Sequence, residues 1–135
     1  MRTLQVIMDQ QRRWAEAHDF SADPKGYVPL VDDNLFRPLS PDALSEFGAG
    51  AGDELSDTPG KAVKMRALHS SAALVCNVFD HWRGIDVAVI GQVLDLPDPI
   101  TGVRFEAQLP SGLRGTPPTV DALLTAPGGG AWGVV

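Results

Sequence analysis

From Val103 onward, apolar and polar positions alternate. Val103-Arg104-Phe105-Glu106-Ala107-Gln108-Leu109 has the period of a strand with one face in water. The Pro- and Gly-rich stretch 110–118 interrupts it, and a second apolar strand runs from Val120 to Ala126. Pro127-Gly128-Gly129-Gly130 reads as a turn, and Ala131 to Val135 as a third strand. Upstream the period changes. Leu68, Ala72, Val75, Phe79 and Trp82 recur at helical spacing, so Lys61 to Trp82 is the strongest predicted helix, with Gly84 as its stop. A second stripe on this helix, Arg66, Ser70, Ala73 and Asn77, is polar or small. Leu4 to Ala17 predicts an amphipathic helix through Val6, Ile7, Trp14 and Ala17.

The stretch 19–60, rich in Asp, Pro, Gly and Ser, predicts an irregular ordered arm lying on the core. Within it, Ser40-Pro41-Asp42-Ala43 is a good helix opening, with proline at the first helical position. Ile85 to Leu94 fits a short helix or strand, closed by Asp95-Leu96-Pro97-Asp98-Pro99. The resulting expectation is one α/β chain of the α+β kind. An N-terminal helix and acidic arm (1–60) pack on a helix-strand-strand-strand core (61–135).

Composition narrows the function classes. Hydrophobic residues at 44% and charged residues at 21% are ordinary for a soluble domain. No apolar run reaches the ~20 residues of a membrane span, and the start of the chain has no secretory core, so the expected location is cytoplasmic. The lone Cys76 and the histidines at 18, 69 and 81 show no metal-ligand spacing. The net charge of −6 lies in the first part: residues 1–60 hold five Lys/Arg against eleven Asp/Glu, and residues 61–135 hold six of each. That balance argues against general binding to a nucleic-acid backbone.

Asp121, opening the second strand, is the carboxylate to weigh. If residues 127–130 are the hairpin loop, Ala126 faces Ala131 and Asp121 faces the position after Val135. A bulge at the glycines would shift that count by one. On this register the chain stops inside an apolar strand, one residue before the partner of Asp121, and an active site is expected to be incomplete.

Several segments resemble an uncharacterised branch of the PD-(D/E)XK nuclease superfamily. They are Asp33-Asn34-Leu35-Phe36-Arg37-Pro38-Leu39-Ser40, Gly50-Ala51-Gly52-Asp53-Glu54-Leu55, the run from Lys64 to Trp82 containing His69-Ser70-Ser71, Phe105-Glu106, and Gly115-Thr116-Pro117-Pro118-Thr119-Val120-Asp121-Ala122-Leu123-Leu124. The resemblance implies a restriction-endonuclease-like core, metal-dependent phosphodiester hydrolysis, Mg²⁺ as cofactor and nucleic acid as partner. It assigns Asp121 as metal ligand and catalytic residue, and Glu106 as a second acidic residue near the metal. Ser70 and Asn77 are further site-facing candidates, although local hydrogen bonding within helix packing is the stronger reading for both. The family's Glu-x-Lys strand does not follow Val135. The expectation is therefore a fragment inactive alone, its last strand pairing with a missing segment or a partner chain. The alternative is a non-catalytic protein-binding module with an acidic arm.

Overall fold

A computed structural model of the chain describes residues 2–135. It belongs to the mixed α+β class. Helix α1 (Arg2–Ala17) leads into the arm, which carries a 3₁₀ turn (Val31–Asn34) and helix α2 (Pro41–Ala49). After a second 3₁₀ turn (Lys64–Arg66), the chain winds through α3 (Ser71–Val75), a π turn (Cys76–Asp80) and α4 (His81–Arg83). Helix α5 (Ala88–Val93) precedes strands β1 (Gly102–Gln108), β2 (Thr119–Thr125) and β3 (Ala131–Val134). The strands form an antiparallel sheet in the order β1-β2-β3.

One sheet face presents Val103, Phe105, Ala122 and Leu124 to Phe47 of α2, Met65, and Ala72, Ala73, Val75, Cys76 and Phe79 of the long helix. Trp132 and Val134 of β3 join this core half-buried. Phe105 and Phe47 stack with ring centroids 5.2 Å apart, an arrangement that adds to the area both bury. Helix α2 begins where the sequence places it: Pro41 is its first residue, and the Ser40 hydroxyl caps it by accepting from the Ala43 N–H.

Three expectations need correction. The helix expected from Lys61 starts only at Ser71, because the backbone before it is committed to the arm. Arg66 O accepts from Val28 N, Leu68 N donates to Gly26 O, and Tyr27 bridges Ala67 as in a sheet. The Asn34 amide also donates to the carbonyls of Met65 and Ala67. The expected stripe is altered as well. The π turn widens one helical turn, and while Cys76 and Phe79 are buried, Trp82 remains 36% exposed. Finally, α1 forms as expected, yet most of the apolar stripe read from the sequence stays out of the core. Val6, Ile7 and Trp14 are exposed and Ala15 is buried, while Trp14 stacks on His18 and Phe20.

Candidate functional site

The β2–β3 hairpin has another register than expected. Gly129 adopts φ +85°, its N–H donates to Ala126 O, and the Ala126 N–H donates to Gly130 O. The loop is therefore the three residues 127–129, a tight turn followed by a left-handed glycine. Ala126 faces Gly130, Thr125 faces Ala131 and Ala122 faces Val134. Continued by one residue, this register sets Asp121 opposite Val135, so β3 brings Asp121 no carboxylate among the described residues.

The carboxylate comes from the other neighbour. β1 pairs Phe105 with Ala122 and Ala107 with Val120, which puts Glu106 and Asp121 at opposed positions between them. Glu106 also departs from ordinary strand geometry, with φ +50°. That left-handed conformation costs a non-glycine residue about 1–2 kcal/mol. It also breaks the alternation expected for β1, since Phe105, Glu106 and Ala107 are buried in succession. Glu106 is only 9% exposed.

The arm covers it. A Cβ on Gly50 would stand 2.7 Å from Glu106 Cβ, and one on Gly52 would stand 2.6 Å from Glu106 Oε2. Only glycine lets the arm backbone come this close, and the nearby Gly52 N–H acts to lower the carboxyl's pKa. Two residues on, Glu54 brings a third carboxylate. Lys64 sits beside it, Nζ 3.7 Å from Glu54 Oε1, and donates to the Gly52 carbonyl.

Electrostatics tie these groups together. Burial pushes the Glu106 carboxyl above its ordinary value, and the charges of Glu54 and Asp121 push it further, against the Gly52 N–H and Lys64. Burial likewise raises Glu54; Lys64 opposes this and Asp121 adds to it. The cluster thus concentrates more negative charge than Lys64 neutralises. Such a site favours a cation. Among the described residues no group of three or more His, Cys, Asp and Glu is disposed as a metal cage. The donor set suits Mg²⁺ held on one or two carboxylates, with water and phosphate oxygens completing the shell.

The other candidates have structural partners. Ser70 caps α3, its hydroxyl accepting from Ala73 N at 3.1 Å. Asn77 ties the helix to the arm, accepting from Phe36 N and donating to Asn34 O. Glu54 and Lys64 were missed as site residues. The available signal was Gly50-Ala51-Gly52 just before Asp53-Glu54, alternate glycines marking a close backbone approach. No helix is long and apolar enough to cross a membrane. Comparison with protein families, with characterised proteins and with solved structures finds no match to this chain.

Proposed function

We propose that this chain is part of a metal-dependent, nuclease-like protein of the PD-(D/E)XK kind, in which Glu106 and Asp121 hold Mg²⁺ against a nucleic-acid phosphodiester. The observation that carries the reading is the opposed placement of Glu106 and Asp121 across β1 and β2, with Glu54 adding negative charge. The helix-strand-strand-strand order agrees with a restriction-endonuclease-like frame. A bound Mg²⁺ would polarise a phosphoryl oxygen. The chain's own carboxylates would fix the ion, and Gly50 and Gly52 would hold Glu106 in place.

Hydrolysis also needs a cation free to meet charge developing on the phosphate. Lys64 is engaged by Glu54 and the Gly52 carbonyl instead. The chain alone is therefore expected to bind cation and phosphodiester but to cleave negligibly.

An acidic-arm docking module is the weaker reading, because several arm carboxylates serve local structure. Asp23 accepts from Lys25 N and Tyr27 N, Asp33 from Leu30 N, and Glu46 pairs with Arg83.

Fluorescence anisotropy of a labelled DNA or RNA oligonucleotide, with Mg²⁺ and then with EDTA, tests the proposal. Binding should depend on Mg²⁺ and fall at least tenfold in Asp121→Asn and Glu106→Gln. Equal binding in EDTA, or binding indifferent to both substitutions, would overturn it.

A further inference from the structure

A cleft of about 350 Å³ opens along β1 beside Glu106, within the roughly 300–1,000 Å³ of ligand sites. Ala49, Gly50 and Ala51 line it from the end of α2 and the arm, and Arg104, Glu106 and Gln108 line it from the strand. Two residues apart on an extended strand, Arg104 and Glu106 have backbones about 6–7 Å from each other.

Three charged side chains border this space. Glu46 is neutralised, since its Oε2 accepts from Arg83 Nη1 at 2.8 Å and from the Phe105 N–H at 3.1 Å. Glu106 belongs to the carboxylate cluster and is 9% exposed. Arg104 is exposed and has no ion pair among the described residues. Other basic side chains are taken: Lys64 by Glu54, Arg83 by Glu46 and Asp80, and Arg66 by the Val28 carbonyl.

The charge balance gives Arg104 its significance. With Glu54, Glu106 and Asp121 ionised, Lys64 and one bound divalent cation only bring the cluster to neutrality. The chain as a whole carries a net charge of −6. A nucleic-acid strand therefore needs a local cation beside the metal before its phosphates are attracted rather than repelled. A guanidinium suits that task, because its planar fork meets two phosphate oxygens at once. The Gln108 amide, also exposed on the cleft, adds a neutral donor.

We propose that Arg104 is a phosphate-binding residue, holding the backbone of a bound nucleic-acid strand in the cleft beside Glu106. This rests on the reading that Glu106 and Asp121 hold the metal. Exposed to water, the guanidinium binds the phosphate equally before and during reaction, so it adds affinity and not rate.

Anisotropy titrations of a labelled oligonucleotide with Mg²⁺, run over a series of salt concentrations, test the assignment. Arg104→Gln should weaken binding at least fivefold at low salt and reduce the slope of log affinity against log salt by about 1. Lys25→Gln removes the same charge from an exposed site outside the cleft lining and should change affinity less than twofold. Ala51→Glu, at an exposed position in the lining, should weaken binding at least as much as Arg104→Gln. Mn²⁺ affinity by calorimetry should stay within twofold in Arg104→Gln, which separates the phosphate anchor from the metal site. Binding of the unsubstituted chain that is indifferent to Mg²⁺ would overturn the carboxylate reading itself. Mg²⁺-dependent binding that Arg104→Gln leaves within twofold, or weakens no more than Lys25→Gln does, would overturn the role of Arg104 alone, as would loss of Mn²⁺ binding in Arg104→Gln.

Discussion

Glu106 and Asp121 occupy opposed positions on neighbouring antiparallel strands, and the arm closes over Glu106 through Gly50 and Gly52. Each element answers a local constraint. The strand register opposes the carboxylates, a left-handed residue re-aims one of them, and two glycines admit the covering backbone.

The glycine contacts give a paired stability prediction. Gly50→Ala would push a methyl group into Glu106 Cβ, where 2.7 Å is available, and should cost about 1–3 kcal/mol. Gly48 lies within α2 with nothing within 4 Å of its would-be Cβ. Gly48→Ala should instead add about 0.5–1 kcal/mol. Urea denaturation of the two variants reads both values. Equal effects would mean that Gly50 does not touch Glu106.

Arg83 links α2, α4 and β1. Its guanidinium donates to Glu46 at 2.8 Å, to Asp80 at 2.8 Å and to the Val103 carbonyl at 3.2 Å. It also lies over the Phe105 ring, 4.8 Å from the centroid. All three charged side chains are largely buried. Arg83→Met leaves Glu46 and Asp80 without their cation and should destabilise the chain by about 3–5 kcal/mol. In the triple variant with Glu46→Gln and Asp80→Asn, much of that loss should return. Thermal denaturation of both variants checks the pair.

The buried carboxylates make stability depend on pH. Burial raises the folded-state pKa of Glu106 above the ordinary 4.5, and Glu54 is raised in the same sense. Between 4.5 and the raised value the folded chain holds protons that the unfolded chain has released. This contribution is fully present below 4.5 and is lost as pH rises through the folded pKa. Glu106→Gln removes the Glu106 part of that loss. Its Tm should exceed that of the unsubstituted chain by a few degrees at pH 7, and the difference should vanish toward pH 4. A difference independent of pH would contradict the assignment.

Much of this fold was legible in the sequence. The three strands, the N-terminal helix and the capped helix at Pro41 follow from period, proline and serine placement. What escaped depends on contacts between distant segments. The residues 61–68 have helical spacing, but the arm claims the carbonyls of Met65, Arg66 and Ala67. Three consecutive glycines do not reveal which one turns left-handed, and that choice at Gly129 sets the hairpin register. Asp121 was visible as a candidate because it opens an apolar strand. Its opposition to Glu106 required knowing how β1 pairs with β2, and Glu54 and Lys64 reach the cluster only through the path of the arm.

Gly129 makes the register testable as well. Gly129→Ala places a side chain at φ +85° and should cost about 1–2 kcal/mol. Replacement by D-alanine in a chemically ligated chain should cost little. Equal losses with both alanines would contradict the left-handed turn.

The central claim is that Glu106 and Asp121 form one cation site. Calorimetric titration of the full chain with Mn²⁺, repeated on Glu106→Gln and Asp121→Asn, tests it most directly. The account predicts saturable one-site binding in the unsubstituted chain and its loss in each variant, with far-UV circular dichroism unchanged. No saturable binding, or binding that persists in both variants, would contradict it.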